Sequence, residues 1–272
     1  MTDASSLDYV RKFVYDRAAI VLGTDKDYLV ESRLLPVARK HGVDGVDGVV
    51  QALKKFGAND IQEDVVEALT TNETYFFRDQ HPFDVLKTVV LPEILEKRAS
   101  ARTLRLWCGA ASTGQEPYSI LMTLFESIPD LAQWKVEFVA TDINQTVLDK
   151  ARSGVYKQHE VNRGLPATLL VKYFDRVGTD WVVQKRLRDL VDFKILNLAE
   201  AWPFKESFDI IFMRNVLIYF DVDMKKYILQ RARRLLTSDG VLFLGGAETT
   251  VNLDDNYQNV RSGRSVFYRK AA

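Results

Sequence analysis

The chain lacks several features that would assign it to common protein classes. Its single cysteine, Cys108, excludes an intramolecular disulfide and fits a reducing compartment. The first residues lack the basic and apolar regions of a signal peptide, and no apolar run approaches the roughly 18 residues that span a bilayer. The sequence therefore predicts a soluble, cytoplasmic protein without direct membrane insertion.

An excess of one charge is also absent, because Lys plus Arg and Asp plus Glu number 37 each. A balanced chain gives no electrostatic reason to expect a nucleic-acid partner. The three histidines, His41, His81 and His159, form no catalytic or metal-ligating pattern with each other or with the cysteine. We therefore expect surface or capping histidines, no bound metal and no nucleophilic His or Cys.

Hydrophobic periodicity divides the 272 residues into two regions. Up to about residue 98 the pattern is helical, with no evident strand. From residue 103 strands and helices alternate, which is typical of a parallel sheet. Strands are predicted over 103–108, 135–141, 191–196, 208–213, 240–245 and 265–269, and helices over 115–127, 145–153 and 222–236.

These patterns predict an α/β fold: a doubly wound, mostly parallel Rossmann-like sheet preceded by a small all-helical domain. The helical domain is expected at 1–78, a linking helix at 79–102 and the α/β domain at 103–272. Between 155 and 190 the alternation fails, and β-forming residues at 181–185 indicate a small β insertion.

Residues 104–119 carry the most informative motif. An apolar run typical of a buried strand leads into small residues at 109–114 and then into an apolar-periodic helix. Such a turn lets backbone approach a nucleotide-like ligand at the carboxyl end of a strand. It has neither G-x-G-x-x-G nor the Gly-Lys-Ser/Thr run that binds phosphates. The segment therefore suggests a nucleotide-like ligand without a bound phosphate, such as S-adenosylmethionine.

Polar side chains follow the other predicted strands. Asp142 ends the second strand, where an acid can accept hydrogen bonds from ribose hydroxyls or can simply cap the next helix. Arg214 and Asn215 end a fully buried strand, and Tyr219 follows within reach of the same pocket or in the core. Asn197 offers an amide that can bond an adenine edge or form a turn.

The segment 71–78 fits no amphipathic pattern, since three aromatic residues stand beside Asn72, Thr74 and Arg78. So many aromatic side chains indicate a segment that lies against another part of the protein. Arg78 can bind a carboxylate through two parallel hydrogen bonds, and S-adenosylmethionine carries a carboxylate. The aromatic residues can equally join the helical region to the α/β region.

Four motifs stand at 71–79 (TNETYFFRD), 110–119 (AASTGQEPYS), 140–143 (ATDI) and 212–221 (FMRNVLIYFD). In order and spacing they resemble the CheR family, the chemotaxis-receptor glutamate O-methyltransferases of bacteria, and the resemblance covers essentially the whole chain. Departures are Gln115, where Glu is usual, and Cys108-Gly109, where Ser-Ala is common.

The resemblance implies an S-adenosylmethionine-dependent enzyme that esterifies receptor glutamates and releases S-adenosylhomocysteine. It implies that Arg78 pairs with the cofactor carboxylate and that Arg78 and Tyr219 lie closest to the methyl group, as catalytic residues. The implied cofactor-binding residues are Asn72, Thr74, Arg78, Gly109, Glu116, Asp142, Asn197, Leu198 and Asn215. A glutamate is already anionic at neutral pH, so no general base is expected.

The resemblance also implies that a basic helix of the N-terminal domain docks on the cytoplasmic helical bundle of a receptor. Lys26, Arg33 and Lys40 are seven residues apart and return to nearly the same helix face, and Arg39 adds to its end. A solvated surface face would look the same. Reversing the charge of Arg33 and Lys40 is expected to raise the KM for receptor and leave cofactor affinity unchanged.

Some family members also bind a receptor C-terminal peptide as an added strand on the β insertion, beside a Gly-rich loop. Here the corresponding run 176–180 has a single glycine. We therefore expect no C-terminal pentapeptide tether.

Other functions stay open at this point. The strand, the turn and Asp142 would also suit a nicotinamide-dependent oxidoreductase. That alternative is disfavoured, because the chain lacks the phosphate-binding turn and a convincing acid for a hydride-transfer site. A CheR-like methyltransferase serving a non-chemotaxis signalling system is an alternative, and so is a cofactor-binding regulator without catalysis. A nucleic-acid methyltransferase is disfavoured, because the chain has balanced charge and no Asn-Pro-Pro-Tyr type motif for a flipped base.

Overall fold

The structure is a computed structural model that describes residues 2–55, 57 and 59–271. Residues 1, 56, 58 and 272 of the predicted domains therefore lie outside the described residues. The helices are α1 (Ala4–Ala18), α2 (Asp27–Lys40), α3 (Gly45–Leu53), α4 (Asn59–Leu69), α5 (His81–Val85), α6 (Leu91–Arg98), α7 (Gln115–Ser127), α8 (Gln145–Ser153), α9 (Gln158–Val161), α10 (Ala167–Tyr173), α11 (Lys185–Arg188) and α12 (Val222–Leu235).

The strands are β1 (Thr103–Gly109), β2 (Lys135–Asp142), β3 (Val155–Tyr156), β4 (Phe174–Val177), β5 (Asp180–Val183), β6 (Val191–Ile195), β7 (Phe208–Met213), β8 (Leu236–Leu244), β9 (Tyr257–Ser262) and β10 (Ser265–Lys270). Seven of them form one sheet in the order β6-β2-β1-β7-β8-β10-β9, and β3, β5 and β4 form a second, antiparallel sheet. In the large sheet only β10 pairs antiparallel, with β8 and β9.

The predicted fold class, a mostly parallel Rossmann-like sheet preceded by helices, is confirmed. Because the strand order reverses between β1 and β7, their carboxyl ends diverge and leave a crevice there. Two strand predictions need correction: β8 begins at Leu236 rather than at 240, and β9 has no counterpart among the predicted strands. Both stretches are largely polar, and pairing with neighbouring strands, rather than an apolar pattern, keeps them extended.

Helices α1 to α4 pack around a core of their own, in which Val10, Val14, Leu34 and Val65 are fully buried. Their apolar residues recur every three or four positions, so each helix buries one stripe against the others. Asp3 caps α1 by accepting a hydrogen bond from the backbone N–H of Ser5 at 3.1 Å. Among the described residues, no helix is long and apolar enough to cross a membrane.

The aromatic segment after α4 joins three parts of the molecule. The Phe76 ring is fully buried and makes edge-to-face contacts with Tyr156 at 5.0 Å and with Phe174 at 5.6 Å, both in the second sheet. Phe77 packs in the same way on Phe83 of α5, at 5.1 Å. The aromatic residues therefore pack the segment that follows α4 against the β insertion and α5, and Phe83 of α5 in turn packs on Phe212 of β7 at 6.0 Å.

A partly buried ion pair ties α6 to the large sheet. Arg98 donates two hydrogen bonds to Asp239 of β8, at 2.7 and 3.2 Å, and the guanidinium lowers the pKa of that carboxyl to about 2. Relative to an unfolded value of about 3.9, the pair contributes stability above about pH 4 that is lost as the pH falls through 2. We expect Asp239→Asn to lower the free energy of unfolding by about 2 kcal/mol at neutral pH.

Urea unfolding of both proteins at about pH 6 and about pH 3 measures this contribution. The difference in unfolding free energy between wild type and Asp239→Asn should shrink by roughly half at the lower pH. A difference that is the same at both pH values would contradict the assignment of the lowered pKa to this pair.

Candidate functional site

A deep cleft lies between the N-terminal helices and the carboxyl ends of the parallel strands. The space between its walls, counted together with the adjoining open solvent, is about 1170 Å³. Residues from the α1–α2 connection, the aromatic segment and the ends of β1, β2, β6 and β7 line it. The cleft therefore occupies the crevice at which the strand order reverses.

The floor of the cleft is the small-residue turn between β1 and α7. Ala110 and Ser112 have positive φ values of 56° and 50°, and Gly114 has φ 95°. A Cβ at Gly114 would lie 2.9 Å from both the Ala151 Cβ and the Tyr156 hydroxyl, so only glycine fits there. Small side chains thus let the main chain itself form the wall of the cleft.

Asp142, at the end of β2, points a buried carboxylate at this turn. It is 7% exposed, and it accepts backbone N–H bonds from Ser112 at 2.8 Å and Asn144 at 3.0 Å. Burial raises the pKa of the Asp142 carboxyl, while the backbone donors act in the opposite direction. These donors hold the side chain in one orientation, and each carboxylate oxygen keeps acceptor capacity for a further donor.

Glu116, at the start of α7, takes part in a buried charge network. Arg214 at the end of β7 has a fully buried side chain and donates to Glu116 at 2.5 Å, to Asp79 at 2.8 Å and to the Arg78 carbonyl at 2.9 Å. One guanidinium thus holds the aromatic segment and α7 in register at the cleft. The sequence placed Arg214 at a strand end but indicated no partner for it, because Glu116 is far away in the chain.

Cys108 lies beneath the same network, with its thiol 3.5 Å from a Glu116 oxygen. Burial raises the pKa of this thiol well above its usual value, and the neighbouring Glu116 carboxylate adds to the rise. Cys108 is therefore a neutral core side chain and not a reactive thiolate.

Arg78 and Tyr219, the two predicted catalytic residues, both line the cleft, together with Asn72 and Thr74. Arg78 is half-buried and donates through Nη1 to the Glu73 carbonyl at 2.9 Å, which leaves its other N–H groups for a ligand. The Tyr219 hydroxyl makes no hydrogen bond to any residue of the described ranges. Both side chains therefore have polar groups available to a bound molecule.

The remaining predicted cofactor residues differ in position. Leu198 and Asn215 line the cleft, and Asn215 has a positive φ of 58°. Asn197 also lines it, but its side-chain amide donates to the Arg17 carbonyl at 2.7 Å and so holds the end of α1. Gly109 is not on the wall of the cleft; it lies against Met213 and Trp107.

The predicted docking residues divide into two groups. Lys26 and Arg33 line the cleft, and Arg33 donates to the Leu69 and Thr70 carbonyls at 3.2 and 2.8 Å. Lys40 forms an ion pair with Asp64 at 2.7 Å, and Arg39 is exposed. An Arg33 variant would therefore disturb the cleft as well as any docking surface, which the helix-face argument did not foresee.

The N-terminal helices also bond directly to the loop that carries Tyr219. The Val21 N–H donates to the Tyr219 carbonyl at 2.9 Å, and the Tyr15 hydroxyl donates to Asp221 at 2.6 Å. Residues 20–22 form part of the cleft wall. The connection between α1 and α2 therefore lies over the carboxyl ends of the strands, and the helical region forms one side of the site.

The residues of the cleft fit S-adenosylmethionine. Ile143, Leu196 and Leu198 offer an apolar wall for a flat base, Asp142 a buried acceptor for a diol, and Arg78 a cation for a carboxylate. In the described part of the chain, no cluster of three or more His, Cys, Asp or Glu side chains is arranged to hold a metal ion. A Rossmann-like sheet with a phosphate-free turn and this donor set fits the class of S-adenosylmethionine-dependent methyltransferases.

Comparison with known proteins agrees with this class. Residues 72–266 match the family described as "CheR methyltransferase, SAM binding domain", and residues 5–70 match "CheR methyltransferase, all-alpha domain". The chain belongs to the CheR methyltransferase family. Its cofactor is S-adenosylmethionine, and its function is methyl transfer in chemotaxis.

Three relatives are similar over nearly their whole length. Chemotaxis protein methyltransferase 1 of Pseudomonas aeruginosa is 40% identical, over 97% of each chain. Chemotaxis protein methyltransferase Cher2 of Pseudomonas putida is 40% identical over 95% of each, and chemotaxis protein methyltransferase 1 of Vibrio cholerae is 37% identical over 99% of this chain and 98% of that one. The family membership excludes the nicotinamide-dependent oxidoreductase, and a non-chemotaxis signalling role is not favoured.

Proposed function

We propose that the chain transfers the methyl group of S-adenosylmethionine to glutamate side chains of chemotaxis receptors and forms glutamyl methyl esters. The observation that carries the proposal is the cleft itself, in which Arg78 and Tyr219 share a wall with Asp142 while no histidine lines it. Such a site suits an acceptor that is already an anion, because that acceptor has to be oriented but has no proton to lose.

The proposed roles follow the cleft from one end to the other. Arg78, with Asn72 and Thr74, binds the cofactor carboxylate, and Asp142 accepts the ribose hydroxyls. Glu116 lies at the methionine end, Asn215 lies beside the cofactor, and the Asn197–Leu198 pair lies at the adenine. Because the Asn197 amide already donates to Arg17, Leu198 provides the adenine contact, and Gly109 contributes only the space behind the turn.

The chemistry requires little of the protein beyond alignment. A receptor glutamate has a pKa of about 4.3, so no proton has to be removed from it at neutral pH. When bound, S-adenosylmethionine supplies an activated methyl group, which passes to a carboxylate oxygen and leaves S-adenosylhomocysteine. Arg78 and Tyr219 orient the methyl group and the acceptor carboxylate toward each other. The connection at 20–22 and the aromatic segment exclude water from the site.

We also propose the division of the chain into a helical unit at 1–78, a linking helix at 79–102 and a methyltransferase unit at 103–272. The separate buried core of α1 to α4 supports the first boundary. The second sheet, within 155–190, supports a β insertion in the third unit.

The proposed partner is the cytoplasmic helical bundle of a chemotaxis receptor, bound by Lys26, Arg33, Arg39 and Lys40 around α2. A three-stranded insertion with the two-residue turn Gly178-Thr179 offers no long Gly-rich loop, which supports independence from a C-terminal pentapeptide tether. A receptor lacking its C-terminal residues should then be methylated as fast as the complete one.

We expect Arg39→Glu to raise the KM for receptor about fivefold. The substitution removes an attraction between Arg39 and the receptor at the edge of the interface and replaces it with a repulsion, together about 1 kcal/mol. Arg39 is exposed and lies outside the cleft wall, so the affinity for S-adenosylmethionine should not change. Arg234→Glu, at an exposed position on α12, is the matched control and should leave both constants unchanged. A normal KM for receptor in the Arg39→Glu enzyme would show that this end of α2 is not part of the docking surface.

The test of the function uses methyl-labelled S-adenosylmethionine and the cytoplasmic part of a receptor. Label that mild base releases from the receptor as methanol identifies a carboxyl methyl ester. If the cofactor binds tightly but no such label is found, the chain is still a methyltransferase, but its methyl acceptor is not a receptor carboxyl group.

A further inference from the structure

Glu248, in the connection that follows β8, has a buried carboxylate with an unusual set of partners. It is 9% exposed, and it accepts backbone N–H bonds from Gly245 at 2.6 Å, Asn215 at 2.8 Å and Leu217 at 2.7 Å. Burial raises the pKa of the Glu248 carboxyl, and the backbone donors act in the opposite direction. A carboxylate with several main-chain donors is a strong anchor for the segments that supply them.

Two of these donors belong to the loop that carries Tyr219. Asn215 has φ 58°, a left-handed conformation that asparagine adopts more readily than other residues with a side chain. A short 3-10 turn then spans Leu217–Tyr219, and the Leu217 N–H at its beginning has no acceptor within the turn. Glu248 supplies that acceptor, so its carboxylate holds the first part of the chain between β7 and Tyr219.

Gly245 makes room for this anchor. A Cβ at this position would lie 2.7 Å from the Glu248 Oε2 and 2.9 Å from the Asn215 nitrogen. Any side chain there would separate the carboxylate from the loop. Glycine at 245 is thus what allows the two segments to approach this closely.

Glu248 itself does not line the cleft. It lines a smaller cavity on the other side of the loop, beside Asp79, His81 and Arg264. Any influence of Glu248 on the reaction must therefore pass through the loop 215–219.

We propose that Glu248 is a positioning residue for methyl transfer: its carboxylate fixes the loop 215–219 and thereby the direction of the Tyr219 side chain. The kinetic part of this inference rests on the proposed function, whereas the structural part does not.

The structural part is tested by amide hydrogen exchange in the protein without cofactor or receptor. In Glu248→Gln an amide NH2 replaces one oxygen and faces at least one backbone N–H that has lost its acceptor. The amides of Asn215 or Leu217 should then exchange at least about tenfold faster, while those of Ile210 and Phe212 in β7 stay unchanged. Unchanged exchange at both loop positions would overturn the proposal.

The kinetic part is tested by a double-mutant cycle with Tyr219→Phe. Glu248→Gln alone should lower kcat by about tenfold, and in the Tyr219→Phe background it should lower kcat by less than about twofold. If Glu248 had only a structural role, Glu248→Gln would reduce kcat by the same factor in both backgrounds. That result would overturn the proposal that Glu248 positions Tyr219.

Asp254→Asn provides the matched control, because Asp254 is also a buried carboxylate, paired with Arg233 at 2.9 Å, and lies later in the same connection between β8 and β9. It should leave amide exchange at Asn215 and Leu217 unchanged and act additively with Tyr219→Phe.

If Glu248→Gln does not fold, Gly245→Ala displaces the same carboxylate and should give the same results in amide exchange and in the double-mutant cycle. If wild type forms no methyl ester, the proposed function fails, and the exchange data still decide whether Glu248 fixes the loop.

Discussion

Asp142→Asn should weaken S-adenosylmethionine binding by about two to three orders of magnitude. The proposed site gives this carboxylate two hydrogen bonds to ribose hydroxyls, and hydrogen bonds to a charged group contribute about 1.5–3 kcal/mol each. The amide keeps the shape of the side chain, but it places a donor where one of the two acceptors was. It also faces the N–H of Ser112 or Asn144, which now donate to the carboxylate. Titration calorimetry measures the dissociation constant directly.

The matched control is Asp149→Asn, the same chemical change on the exposed face of the following helix α8. It should bind the cofactor as wild type does. Comparing the unfolding free energies of the two variants separates a lost ligand contact from a damaged fold. An Asp142→Asn protein that is stable and binds within about threefold of wild type would remove Asp142 from the cofactor site.

Arg78→Ala should reduce kcat/KM for receptor by about three orders of magnitude, or roughly 4 kcal/mol. The guanidinium is proposed to hold the cofactor carboxylate in a sheltered cleft, and its loss leaves that carboxylate without a partner. Because Arg78 is also proposed to lie near the transferred methyl group, kcat should fall along with cofactor affinity. Arg78→Lys keeps the charge but not the planar pair of donors, so it should recover only part of the loss.

Arg163 offers a control in the same surroundings. Its guanidinium lies 4.4 Å from the centroid of the Tyr75 ring, on which Arg78 also stacks at 5.7 Å, and it pairs with Glu73 at 2.6 Å. Arg163 does not line the cleft. Arg163→Ala should therefore retain kcat/KM within about threefold, and equal losses in the two variants would indicate that Arg78 acts only by packing.

The fold could be predicted wherever the chain alternates between apolar runs and turn residues. The strand, small-residue turn and helix at 103–127 and the helix at 145–153 lie where the pattern put them. Strand β9 was missed because four of its six residues are polar, and it is held by pairing with β10 rather than by burial. Local periodicity does not report such long-range pairing.

The site could be predicted only in part, for a related reason. Asp142, Arg78 and Tyr219 stand at strand ends or in an anomalous segment, and the structure brings them to one cleft, although their roles stay predictions. The Arg214–Glu116 pair and the Glu248 anchor join residues 98 and 33 positions apart. No local pattern marks them, since a buried charge is identified only by the partner that the fold supplies.

The central claim is tested most directly by locating the methyl group on the acceptor. A receptor cytoplasmic fragment is incubated with the chain and S-adenosylmethionine carrying a deuterated methyl group, then digested at mildly acidic pH and sequenced by tandem mass spectrometry. The account predicts the label on side-chain carboxyl groups of glutamates in the helical bundle, and roughly a thousandfold slower labelling of the same groups when Arg78→Ala replaces the wild type. A label on a lysine, arginine or terminal nitrogen, or a receptor left unlabelled by an enzyme that binds its cofactor, would contradict it.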